Sequence, residues 1–153
     1  EYGMPFLGTC AGFQHAILEF GRNVLDIRDA ASEEYTIAGA PLFISRLSCS
    51  LIGNLMPVRL EAGSRARDAY GSDHAVERYY CNFGLNSRWE PQLTSAGLLI
   101  KGRDSDGDAR IIELRSHPFF VATLFVAQTS SAINSPHPLI RTFAVTAEER
   151  AAT

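Results

Sequence analysis

Apolar residues are spaced in one way up to residue 8 and in another way from residue 11. Met4 to Gly8 is a short apolar run ending in glycine, which predicts a buried strand. From Ala11 onward Phe13, Ala16, Ile17, Phe20 and Val24 fall at helical spacing, and Leu18 and Leu25 widen the stripe. The pattern predicts a helix over residues 11–25, joined to the strand with almost no loop. Residues 26–40 are polar without clear periodicity and read as a loop. Beyond residue 40 the character is β. Cys49–Gly53 and Met56–Glu61 read as short strands, with Glu61-Ala62-Gly63-Ser64 as a turn. Ala75–Phe83 reads as a further strand. Ala96–Gly102 and Ala109–Leu114 flank Asp104-Ser105-Asp106-Gly107, where Asp-Gly predicts a tight hairpin. Phe119–Phe125 is continuously apolar and strand-like, and Leu139–Arg150 closes the chain as a helix. No internal repeat, low-complexity tract or linker interrupts this order, so residues 1–153 are expected to form one unit.

Composition narrows the function classes. The 153 residues are 46% hydrophobic and 20% charged, ordinary values for a globular chain. A net charge of -3 argues against nucleic-acid binding, which needs a concentrated basic surface. Arg65 and Arg67 are followed at once by Asp68 and make no basic tract. Three scattered cysteines, Cys10, Cys49 and Cys81, form neither a disulfide framework nor a zinc pattern, so no metal or other cofactor is expected and a reducing cytoplasm is the expected setting. No apolar run approaches the ~20 residues of a membrane span. The chain opens with Glu1 rather than Met and is inside an apolar segment by residue 5, so its natural start is expected upstream.

The candidate chemistry sits where the periodicity changes. Gly8-Thr9-Cys10-Ala11-Gly12 has the form G-x-C-x-G between a predicted strand and a predicted helix, a nucleophile elbow with cysteine in place of serine. A sharp strand-to-helix turn strains the nucleophile's backbone and leaves room only for small neighbours. It also sets the sulfur at a helix N-terminus, where the dipole favours thiolate, and aims the Ala11 N–H at a developing oxyanion. The competing reading is a buried structural cysteine flanked by chance glycines.

Pro5-Phe6-Leu7-Gly8-Thr9-Cys10-Ala11-Gly12-Phe13-Gln14, with Ile17-Leu18-Glu19-Phe20 and Arg22-Asn23-Val24-Leu25, resembles the nucleophile region of class I glutamine amidotransferase domains of the CTP synthase type. The resemblance continues through Asp29 to Glu34, Pro57 to Gly71, Glu77 to Asn86, Gly97-Leu98 and His117 to Val121. It implies an α/β, class I glutamine amidotransferase-like (flavodoxin-like) open sheet, here apparently lacking its N-terminal part. It implies Cys10 as nucleophile, Ala11 as oxyanion donor, and Gly8, Gln14 and Glu34 as substrate-binding residues, Glu34 holding the amino group of glutamine. Glutamine or a related small amide is the implied substrate. Among relatives of this type, Cys81 to Asn86 looks more like proteins without a synthase domain. The oligomeric state is left open, a homo-oligomer included.

The same resemblance exposes departures. Where the family ends its last strand in Phe-His-Pro-Glu, this chain has Phe125-Val126-Ala127-Gln128. Valine can neither accept nor donate a proton, and glutamine carries no carboxylate. Tyr79, Tyr80, Cys81 and Asn82 replace a cationic run, which weakens any hold on a substrate carboxylate. His137, in Ser135-Pro136-His137-Pro138, reads first as part of a rigid loop and secondarily as a stand-in base. His117 reads as a turn residue, and His15 and His74 as structural or solvated. Asp104, Asp106 and Asp108 with Gly107 suggest a calcium loop only weakly, because the flanks read as strands. Cys81 reads either as strand packing or as a second thiol in the cleft. Three functions stay open: a weakened amidotransferase, a pseudoenzyme that binds or regulates, and a hydrolase of another small substrate.

Overall fold

The structure, a computed structural model, describes residues 3–35 and 39–152. Glu1, on which the upstream expectation rests, and residues 36–38 of the predicted loop lie outside the described residues. Strand β1 (Phe6–Thr9) runs directly into helix α1 (Ala11–Asn23), as the change of period predicts. The helix buries Phe13, Gln14, Ile17, Leu18, Phe20 and Gly21. Gly21 is a contact glycine: a Cβ there would lie 2.9 Å from the Phe43 ring, so α1 can approach the next layer only without a side chain at this point.

Next along the chain come β2 (Ala31–Ser32), β3 (Leu42–Arg46) and β4 (Leu55–Leu60). Helix α2 (Arg65–Tyr70), β5 (His74–Arg78), β6 (Phe83–Leu85) and α3 (Glu90–Ser95) follow. The chain then forms β7 (Leu98–Arg103), β8 (Ala109–Leu114), β9 (Phe120–Thr123) and finally α4 (Pro138–Ala151). Six strands make a curled open sheet in the order β1-β9-β8-β7-β4-β5, and β2-β3-β6 make a smaller one. Only β1 and β9 pair in parallel in the large sheet; its other pairings are antiparallel. The apolar faces of both sheets, with α1 and Leu139 of α4, share one core around Phe13, Ile17, Phe43, Ile111, Val121 and Phe125.

Several elements depart from the sequence reading: β2 lies inside the predicted loop over residues 26–40, and α3 falls where no element is predicted. Residues 49–53 are not a strand: Ile52 and Gly53 form a turn, and the strand in this region is β3, several residues earlier. The predicted strand over residues 75–83 splits. Strand β5 ends at Arg78, and residues 79–82 leave the ladder to bond the preceding loop, with Gly53 N–H donating to Tyr79 O at 2.8 Å and Leu47 N–H to Asn82 O at 2.9 Å. Helix α2 has no long apolar stripe to announce it. It forms because its exposed N–H groups find partners: the Ser64 hydroxyl accepts from Arg67, and the buried Glu113 carboxylate accepts from Arg65 and Ala66, each at 3.0 Å. Gly71 ends the helix in the left-handed region at φ 67°.

The hairpin between β7 and β8 forms where Asp-Gly predicts it. Its turn is organised by Asp104, whose Oδ1 accepts from the N–H groups of Asp106 and Asp108, while Oδ2 meets buried Arg110 at 2.6 Å. Both oxygens are thus used within the protein. No helix among the described residues is long and apolar enough to cross a membrane.

Candidate active site

Cys10 occupies the junction between β1 and α1 with φ 51° and ψ -108°. A side chain strains such a backbone, and the surrounding bonds hold it there: the Cys10 N–H donates to Thr123 O at 2.9 Å, and its carbonyl accepts from Phe13 N at 3.0 Å. Gly8 makes the tight turn feasible. A Cβ on it would sit 3.0 Å from the backbone of Gly12 and from the Phe6 ring. Gly8 therefore lets the start of α1 close against β1, which is a packing role. Gln14 is buried, and its side-chain amide donates to Phe83 O at 3.0 Å, tying α1 to β6. The structure thus turns this predicted substrate-binding residue toward the protein.

The Cys10 thiol is half-buried, and its pKa is lowered to about 7. Hydrogen bonding from the Cys81 thiol is the largest cause, burial opposes it, the Ala11 N–H adds to it, and the negative charge of Glu34 opposes it again. Cys81 is buried, with its Sγ donating to Leu124 O at 3.6 Å. Its own pKa is pushed far up, first because it gives its hydrogen bond to Cys10 and then because it is buried. Of the two sulfurs, Cys10 is the one shifted toward thiolate. Cys81 lies in the segment between β5 and β6, outside any strand, and its side chain belongs to the buried core.

Glu34 lies in the turn after β2, its N–H donating to Ser32 Oγ at 3.2 Å, and its exposed carboxylate acts electrostatically on both cysteines. Tyr35 beside it is exposed, and hydrogen bonding to Glu34 raises its phenol pKa. The Cys10 charge adds to that rise. The sequence reading did not single out Tyr35; its one signal was adjacency to Glu34.

Val126 is half-buried at the head of a 3-10 turn, its N–H donating to Arg78 O at 2.9 Å, and Gln128 is exposed on that turn. His137 has a different position and a different task. Its Nδ1 accepts from Leu139 N at 3.2 Å, capping α4, and its Nε2 bonds the Glu77 carboxylate at 2.9 Å. The Tyr70 hydroxyl donates to the same Glu77 oxygen at 2.5 Å. With both ring nitrogens committed and 3% of its surface exposed, His137 cannot take a proton from Cys10, which removes it as a stand-in base. His117 serves a turn, its Nδ1 accepting from Phe119 N at 3.2 Å.

No protein-family model matches the chain. It is 38% identical to the CTP synthase of Carboxydothermus hydrogenoformans over 153 residues, which is 94% of this chain and 29% of that relative. It is 37% identical to the CTP synthase of Moorella thermoacetica, covering 99% of this chain and 30% of the relative. The chain thus spans under a third of the length of these curated relatives. Among solved structures it is similar to the glutaminase domain of Trypanosoma brucei CTPS with bound acivicin, with TM-score 0.90 and 25% identity over 96% of this chain and 61% of that one. A putative GMP synthase protein from Thermoplasma acidophilum, at TM-score 0.65 and 13% identity over 99% of this chain and 61% of that one, shares the fold.

Proposed function

This chain is a homologue of the CTP synthase glutaminase domain, and from that premise we propose that Cys10 is a nucleophile toward glutamine or a related small amide, with hydrolysis weak or absent. The observation that carries this reading is the strained elbow at Cys10, whose thiol pKa is lowered to about 7 and feels the negative charge of Glu34. In this reading the thiolate adds to the amide carbonyl carbon, and the negative oxygen faces the Ala11 N–H. The carbon–nitrogen bond then breaks, and the departing ammonia needs a proton. Glu34 binds the substrate amino group, as the resemblance implies.

The weakness lies in the proton transfers. Val126 stands where the resemblance calls for a histidine, and Gln128 where it calls for the orienting glutamate. Without an imidazole, nothing at that position protonates the leaving ammonia or activates water against the thioester. Acylation is slow and deacylation slower. Tyr79 is fully buried and Cys81 nearly so, while Asn82 carries no charge, so this stretch offers no guanidinium to the substrate carboxylate. Three free cysteines suit a reducing, cytoplasmic setting.

Mass spectrometry of the full-length, reduced protein after treatment with 6-diazo-5-oxo-norleucine, beside Cys10→Ala, tests this reading. One adduct, on Cys10 alone, is the expected outcome. No adduct, with Cys10 still open to iodoacetamide, would remove the glutamine reading. It would favour the second one, a non-catalytic binding or regulatory module, which the apolar Val126 already supports.

A further inference from the structure

Two hollows in the surface away from the elbow differ in whether their charged groups are already matched. The larger, of about 540 Å³, lies along β4 and the β7–β8 turn and takes Arg59, His74 and Arg103 into its lining. Each of these has a carboxylate of its own: Arg59 meets Glu61 at 3.2 Å, His74 meets Asp73 at 2.8 Å, and Arg103 meets Glu90 at 2.7 Å. The second, of about 440 Å³, lies between Pro41 and Leu42 on one side and Asn86, Arg88 and Trp89 on the other. Here the polar side chains are committed except one. Asn86 Nδ2 and Trp89 Nε1 both donate to Leu42 O, at 2.8 and 2.9 Å, and Asn86 Oδ1 accepts from Arg88 N at 3.2 Å. The indole is also stacked on Phe43, with ring centroids 4.1 Å apart. The Arg88 guanidinium lies 5.9 Å from the indole ring and has no hydrogen-bond or ion-pair partner among the described residues. Neighbouring Glu90 does not serve it, because both Glu90 oxygens are bonded to Arg103.

We propose that the second hollow binds a small planar carboxylate, an aromatic or unsaturated acid, with its carboxylate on the Arg88 guanidinium and its flat body against Trp89 and Pro41. This goes beyond the amide reading and does not depend on it. Ligand pockets of this size are mostly apolar, with a few placed polar groups that fix orientation. A free guanidinium offers parallel N–H donors that match the two oxygens of a carboxylate and repel a cation. A neutral amide presents one acceptor oxygen and no charge to the same fork. A sugar or other polyol would find no uncommitted side-chain partner besides Arg88, whereas a flat hydrocarbon body needs none. The indole is already held by Leu42 O and Phe43, so it loses little freedom when a ligand arrives. The larger hollow lacks this feature, since an anion entering it would have to displace a carboxylate from each cation.

The sequence has a single tryptophan, so the Trp89 indole N–H gives one resonance in a proton–nitrogen correlation spectrum and reports on this hollow alone. The test titrates the full isotope-labelled chain with benzoate and, in parallel, with benzamide and with acetate. Benzoate should shift the indole resonance saturably. Benzamide keeps the ring without the charge, and acetate keeps the charge without the ring. Each should bind at least about tenfold more weakly than benzoate. Arg88→Gln should weaken benzoate by a similar factor, and Arg88→Lys should recover only part of the loss, because an ammonium lacks the planar fork. Three results would overturn the proposal: no saturable shift with benzoate, benzamide or acetate binding as tightly as benzoate, or benzoate binding unchanged in Arg88→Gln. The comparison of the three probes uses the wild-type chain, so a misfolded variant cannot hide the answer.

Discussion

Two regions of this molecule carry the residues from which hydrolytic sites are commonly built, and each lacks what the other has. The elbow holds a nucleophile, Cys10, which feels the charge of the Glu34 carboxylate, and valine stands where the resemblance calls for a base. The cluster under α4 holds an imidazole, a carboxylate and a phenol, His137, Glu77 and Tyr70, with no nucleophile bonded to them. Residue type alone therefore does not make a site. In the cluster the polar groups are spent on one another: the imidazole caps a helix, the carboxylate accepts twice, and solvent is excluded. At the elbow the sulfur is held in a strained backbone with part of its surface open. Satisfied and buried groups give stability, and a strained, accessible group gives reactivity.

The largest effect is expected in the cluster. Glu77→Ala leaves buried His137 and half-buried Tyr70 without their acceptor and should cost about 3 kcal/mol in a urea unfolding titration, with Cys10 alkylation in the folded protein unchanged. A loss below ~1 kcal/mol would mean that the cluster does not anchor α4 to β5. At the elbow, the informative change is to supply the absent base. Val126→His with Gln128→Glu should raise ammonia release from glutamine on the order of 10²-fold in a glutamate dehydrogenase-coupled assay. No gain would show that more than the base is missing.

The pH dependence of the thiol separates the two sulfurs. Cys10 is depressed from 9.0 to about 7, so its iodoacetamide rate should be half-maximal near pH 7 and fall about tenfold per unit below that, as thiolate is lost. The Cys81 hydrogen bond is the largest lowering cause, so Cys81→Ala should move the midpoint upward. An unmoved midpoint would mean that the helix N-terminus alone sets the thiolate. The smallest effect concerns strain. Cys10→Gly relieves a φ of 51° and should gain up to about 1 kcal/mol in denaturant stability while abolishing alkylation at this position.

Much of this can be read along the chain because it is local. The G-x-C-x-G elbow, helix α1 and the Asp-Gly hairpin depend on residues within a few positions of one another. Residues 79–82 mislead because Tyr79 and Tyr80 have the composition of a strand, while the backbone there bonds a loop some thirty positions earlier. Helix α2 is hard to anticipate because part of its cap, Glu113, lies far along the sequence, and strand propensity says nothing of a carboxylate reaching across.

The strand-to-helix elbow, the identity of its nucleophile and the lack of an imidazole at residue 126 follow from residue type and short spacing alone. Three other features arise only when the chain closes on itself: His137 becomes a buried cap rather than a base, Gln14 turns inward, and Cys81 bonds the Leu124 carbonyl. Each depends on which distant backbone groups are left unpaired at that moment, and a buried polar group is drawn to those partners wherever they lie in the sequence.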